Sequence, residues 1–176
     1  MLCLALLEQL DKTVTTALLF NAYLTTLELL QAITAEFGLQ PRELTRKGYV
    51  DCLNAYLLEE FAAGRNAVVV LDEAQHLEPA VLEQLRMLSN LETARGKLLQ
   101  IILVGQPELH AKLATHQMRQ LDQRIAVRFT MQALTRAETA QYIAHRMSVA
   151  GAAHTVRWSR RALGRIHRRT GQRSKR

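Results

Sequence analysis

Two apolar runs, Ala67–Leu71 without a break and Leu98–Val104 broken only by Gln100, constrain this chain more than any other feature. Each is short, and each ends on residues that break regular structure, Asp72-Glu73 after the first and Gly105-Gln106-Pro107 after the second. A strand whose successive side chains are all apolar must be covered on both faces, which is the habit of a parallel sheet wrapped by helices. Between the two runs, Pro79 to Leu91 places Leu82, Leu85 and Leu88 on one helical face, with Pro79 near the first turn. Strand, helix and strand in that order predict a parallel α/β unit.

The same alternation extends in both directions. Leu2, Leu6, Leu7 and Leu10 recur at helical spacing, and Val14 to Phe20 is a β-branched and apolar stretch suited to a buried strand. Leu24 to Gly38 returns to helical period, Gln40 to Lys47 reads as a polar loop, and Tyr49 to Ala63 puts Leu53, Leu57 and Phe61 on one face. A helical segment to about Leu121 and a further strand over Ile125 to Met131 follow the second run. Beyond Leu134 the period is helical throughout, over Arg136–Val149 and Ser159–Arg169. The expected organisation is an α/β core over residues 1–134 and a small all-helical part over 135–176.

Composition narrows the class. At 48% hydrophobic and 22% charged residues, the chain is globular rather than disordered. It contains no run of about 18 apolar residues, so no membrane-spanning segment is expected. The apolar start, Met1 to Glu8, lacks a basic leader and a cleavage site and reads as helix, not as a signal peptide. Cys3 and Cys52 suit reduced core positions and a cytoplasmic compartment, and the histidines, including His110 and His116, show no zinc spacing. The formal net charge of +7 is uneven: Met1–Met118 carries 9 Lys/Arg against 14 Asp/Glu, whereas Arg119–Arg176 carries 14 against 2. A basic terminal third of this kind attracts phosphate, nucleic acid or an acidic protein surface, or is simply a solvated face.

Ligands of a parallel α/β sheet gather at the carboxyl ends of its strands. Asp72 and Glu73 stand at one such end. Nucleotide hydrolysis needs a carboxylate there to hold Mg²⁺, directly or through water, and a second to draw a proton from the attacking water. On an extended chain, adjacent side chains point differently, so the pair divides those tasks; a plain acidic strand end is the alternative. Gln106, at the end of the other run, has a side-chain amide able to hold that water or read a γ-phosphate, although most such turns have no chemical role.

Together, Val68-Val69-Val70-Leu71-Asp72-Glu73-Ala74-Gln75-His76-Leu77, the stretch Leu82 to Thr93 and the stretch Leu98 to Leu109 closely resemble the AAA+ ATPases of the general secretion pathway protein A family, of type II secretion and MSHA pilus biogenesis. The similarity runs from about Leu2 to about Gly171. It implies a P-loop NTPase-like fold with a helical lid, ATP and Mg²⁺ as cofactors, and as partners a homo-oligomer or secretion and pilus assembly proteins. It makes Asp72 the Walker B carboxylate associated with Mg²⁺ and Glu73 the catalytic base, and places Gln106 in the sensor 1 region. Arg124 becomes the first candidate and Arg128 the second for an arginine finger acting on a neighbouring subunit's nucleotide.

The chain departs from the family pattern in two places. It contains no Gly-x-x-x-x-Gly-Lys-Ser/Thr, and Leu2 to Leu10 match the helix that follows that loop in the family, so the expectation is an ATPase core lacking its first strand and P-loop. Thr170-Gly171 is followed by Gln172-Arg173-Ser174-Lys175-Arg176 in place of the Gly-Gly-x-Pro-Arg segment with the sensor 2 arginine; Lys175 falls at that position. The expected function is an ATPase fragment for secretion or pilus assembly, inactive alone. The alternatives are a DNA-associated AAA+ ATPase of the transposition-helper type, contacting phosphates through Arg160, Arg161, Arg165, Arg168 and Arg169, and a non-enzymatic remnant.

Overall fold

The computed structural model describes residues 2–11, 13–20, 23–151 and 158–173. The chain divides into two compact units, Met1–Ala126 and Val127–Arg176.

The first unit is built on a parallel sheet. Helix α1 (Leu2–Glu8) leads into β1 (Val14–Leu19), followed by α2 (Thr26–Glu36), α3 (Arg46–Ala62) and β2 (Asn66–Leu71). Then come α4 (Pro79–Leu88), a small antiparallel hairpin of β3 (Glu92–Thr93) and β4 (Gly96–Lys97), β5 (Leu99–Leu103), α5 (Pro107–Leu113) and α6 (Arg119–Asp122). The strand order of the main sheet is β1-β2-β5, all parallel, with Leu19 opposite Leu71 and Leu71 opposite Leu103. That register brings the carboxyl ends of all three strands level.

β2 is central, and Ala67 through Leu71 are all buried, as a continuous apolar run requires. Its side chains alternate between two cores. Ala67, Val69 and Leu71 join the large cluster with Leu29, Leu30 and Ile33 of α2, Leu53 and Leu57 of α3, and Leu82 and Leu85 of α4. Val68 and Val70 pack on the other face with Cys3 and the half-buried Leu7 of α1.

The helix boundaries have local causes. Thr25 and Glu28 form a reciprocal capping box that starts α2, and Gly38, at φ 70°, supplies the left-handed turn beyond its end. α3 begins at Arg46, three residues before the expected start, because the Thr45 hydroxyl accepts from the Gly48 N–H within the segment expected to be loop. α4 stops at Leu88 rather than Leu91, and the chain turns at once into the β3–β4 hairpin.

The strand expected over Ile125–Met131 does not form. A strand exists through ladder hydrogen bonds to a neighbour, and among the described residues no strand pairs with this stretch. Val127, Phe129 and Met131 are exposed in consequence.

In the second unit, α7 (Arg136–Val149) opens on another capping box, Thr135 with Glu138, and α8 (Arg160–Arg173) packs against it. The Thr139 hydroxyl lies 3.1 Å from His167 Nδ1, and the Arg136 guanidinium donates to the Arg160 carbonyl at 3.1 Å. Arg160, Arg161, Arg165, Arg168 and Arg169 are exposed on α8. Among the described residues no helix is long and apolar enough to cross a membrane.

Candidate functional site at the carboxyl edge of the sheet

Level strand ends bring Asp72-Glu73, after β2, beside Val104-Gly105-Gln106, after β5. Three backbone bonds lock the edge: Asp72 N–H to Leu19 O at 2.9 Å, Val104 N–H to Leu71 O at 2.8 Å and Ala74 N–H to Val104 O at 2.9 Å. The chain then closes a single 3₁₀ turn, Ala74–His76, before α4.

Glu73 is not extended, contrary to the sequence expectation. At φ 53° and ψ 34° it is left-handed, the one non-glycine residue with positive φ among those described. A side chain with a Cβ pays about 1–2 kcal/mol there, and such strain concentrates at functional sites. The conformation turns the carboxylate toward the end of β5. Glu73 Oε2 accepts from Gln75 Nε2 at 2.6 Å and from Gln106 Nε2 at 3.3 Å. Asp72, half-buried, accepts the Glu73 N–H on Oδ1 at 2.9 Å.

The structure therefore joins Asp72, Glu73 and Gln106. Arg124 lies elsewhere, exposed in the turn after α6, where its positive charge helps to hold the Glu92 carboxyl below its ordinary value behind the larger effect of Lys97. Arg128 is exposed in the second unit.

Three further residues belong to the site and carried no assigned role in the sequence. Gln75, 8% exposed, uses Nε2 on Glu73 and Oε1 on the Gln106 N–H at 3.0 Å. Lys112, from α5, donates its ammonium to the carbonyls of Gln75 at 2.6 Å and Leu77 at 2.9 Å. Cys3 is buried against β2; burial first, then its hydrogen bond with Asp72 and that carboxylate's charge, push its thiol pKa up. Gly105 is required by closeness: a Cβ there would meet Gln75 Oε1 at 2.8 Å and Leu109 Cδ2 at 3.1 Å. None of these contacts follows a period, so composition and spacing could not single them out.

A parallel sheet covered on both faces, with paired carboxylates at the end of its central strand, has the architecture of the P-loop ATPases. The chain belongs to the AAA domain family, whose family model matches residues 1–113. Over 167 residues it is 42% identical to General secretion pathway protein A of Aeromonas hydrophila, covering 94% of this chain and 30% of that protein. The chain thus spans less than a third of the length of this curated relative. Among solved structures it is similar to the Aeropyrum pernix ORC2 protein in its ADP form, at TM-score 0.65 and 19% identity, with 97% of this chain and 45% of that chain covered. CDC6P from Pyrobaculum aerophilum follows at TM-score 0.58 and 18% identity, covering 78% of this chain and 36% of that one. At such identity these two likenesses show the fold.

Proposed function

We propose that the carboxyl edge of the sheet is a Mg·ATP site, and that the chain is the nucleotide-hydrolysing part of an ATPase serving a secretion or pilus apparatus. The observation that carries the reading is the convergence of Asp72, Glu73 and Gln106 at one sheet edge, with Glu73 held in a strained conformation. The similarity to General secretion pathway protein A supports the choice of apparatus.

Asp72 would hold Mg²⁺, directly or through water. A single hard carboxylate suits an ion that keeps waters and takes its other ligands from phosphate, and among the described residues no group of three or more His, Cys, Asp or Glu could hold a metal. When bound, the ion supplies positive charge to the phosphates. Glu73 would act as general base, taking a proton from the attacking water, and Gln106 would read the γ-phosphate. Arg124, with Arg128 second, would reach the nucleotide of a neighbouring copy as an arginine finger in a homo-oligomer. The 176 residues hold no P-loop sequence, and the backbone nest and lysine such a loop supplies are the main grip on the β- and γ-phosphates. A polypeptide of these residues alone therefore binds Mg·ATP weakly and does not hydrolyse it at a useful rate.

Paramagnetic Mn²⁺ with ATP, titrated into the ¹⁵N-labelled chain, should broaden the amide resonances of Asp72, Glu73 and Gln106 and leave those of α8 sharp. Asp72→Asn should abolish the broadening. Broadening that ignores this substitution, or that falls elsewhere, would sink the reading.

A second reading rests on the five exposed arginines of α8, which could contact nucleic-acid phosphates. It requires retention on duplex DNA that weakens steeply with salt, and equal retention of a variant with Arg161, Arg165 and Arg168 changed to Ala counts against it.

A further inference from the structure

We propose that Gln75 is the positioning residue of this site, a clamp that ties the Glu73 carboxylate to the main chain of Gln106 and decides which oxygen of Glu73 works as the base. The inference rests on the nucleotide reading above for its purpose and on the geometry for its existence. The side-chain amide of glutamine is both donor and acceptor, and here each half is used. Nε2 donates to Glu73 Oε2 at 2.6 Å, and Oε1 accepts the Gln106 N–H at 3.0 Å. Only this orientation of the amide serves both neighbours, because a carboxylate accepts and an N–H donates.

The clamp is braced on every side. Gln75 is buried, and its own carbonyl accepts from the Lys112 ammonium at 2.6 Å, which ties the 3₁₀ turn to α5. Gly105 lies so close that any added Cβ would strike Gln75 Oε1. Release of the amide would break its bonds to both Glu73 and the Gln106 N–H.

Both amide donors, Gln75 Nε2 and Gln106 Nε2, reach the same oxygen, Oε2. Among the described residues Oε1 has no hydrogen bond, so it is the oxygen presented to water, and the proton of an attacking water passes to it. Gln106 also touches Oε2 through its side chain and Gln75 through its backbone. A displacement of Gln106 by a γ-phosphate is therefore delivered to Glu73 by two routes, and Gln75 is the buried one.

Two substitutions separate the halves of the clamp. Gln75→Glu keeps an acceptor for the Gln106 N–H and loses the donor to Glu73; Gln75→Ala loses both. In the isotope-labelled chain, Gln75→Ala should speed hydrogen exchange of the Gln106 amide by about tenfold, the equivalent of one hydrogen bond, and shift the Glu73 carboxyl ¹³C resonance. Gln75→Glu should shift the Glu73 resonance and leave Gln106 exchange within about twofold of the native chain. A buried filler would not divide the two signals in this way. The proposal is overturned if both variants, shown folded by their remaining resonances, leave Gln106 exchange and the Glu73 resonance unchanged, or if Gln75→Glu speeds exchange as much as Gln75→Ala. Mg·ATP that moves no resonance at Asp72, Glu73 or Gln106 in the native chain would defeat the nucleotide reading and leave the exchange result to judge the clamp.

Discussion

Glu73 bears two costs at once, a left-handed backbone and a place between two amides that must each be satisfied. The backbone part can be isolated by comparing two substitutions that both delete the carboxylate. Glycine is free of the Cβ clash that alanine keeps at φ 53°. Glu73→Gly should therefore be more stable than Glu73→Ala by about 1 kcal/mol in urea denaturation, the reverse of the usual order at ordinary backbone positions. Equal midpoints for the two variants would mean the strain is relieved in solution. Asp72 carries no such strain; it closes the strand and caps the next amide, so its role depends on position rather than conformation.

At the scale of elements, carboxylates bind the ends of helices. Glu28 and Glu138 accept the backbone N–H groups of Thr25 and Thr135 in the two capping boxes, and those bonds hold both carboxyls below their ordinary values. Glu60, buried at the end of α3, is held low first by its hydrogen bond with Arg65, against a smaller opposing effect of burial. A folded pKa below the unfolded one adds stability that is present above the unfolded value and lost as pH falls through the folded value. Stability of the first unit should therefore decline below about pH 4, the ordinary carboxylate range. Glu60→Gln should lower stability at pH 7 and flatten the decline between pH 5 and pH 2, read from denaturation midpoints across that range. An unchanged slope would place the acid sensitivity elsewhere. The caps, fully exposed to solvent screening, contribute less to it than Glu60 does.

For the whole molecule, the decisive matter is what grips phosphate. On the proposed reading the carboxyl edge would supply a carboxylate for the metal, a base and a polar reader, whereas the 176 residues include no glycine-rich loop to cradle the β- and γ-phosphates. Steady-state ATP hydrolysis by a polypeptide of these residues should sit at background, and Glu73→Gln should leave it there. Turnover above background that Glu73→Gln removes would overturn the expectation and place the phosphate grip on residues already present.

What could be read from the residues was whatever repeats or stands in line. Predominantly apolar runs announced β2 and β5 and hence a covered parallel sheet; the helical period of Arg136–Val149 matched α7 to the residue. The pair Asp72-Glu73 and the amide of Gln106 could be named because a parallel sheet collects its strand ends on one edge. The failures were of the opposite kind. Ile125–Met131 has the alternation of a strand, but a strand needs a partner, and periodicity cannot say whether one exists. The left-handed turn at Glu73, the clamp of Gln75, the brace of Lys112 and the closeness that makes Gly105 necessary arise from segments far apart in the chain meeting at a distance of about 3 Å. Hydrophobic period is written locally because burial is decided face by face. The geometry of a polar site is not, because each hydrogen bond depends on where the fold sets its partner.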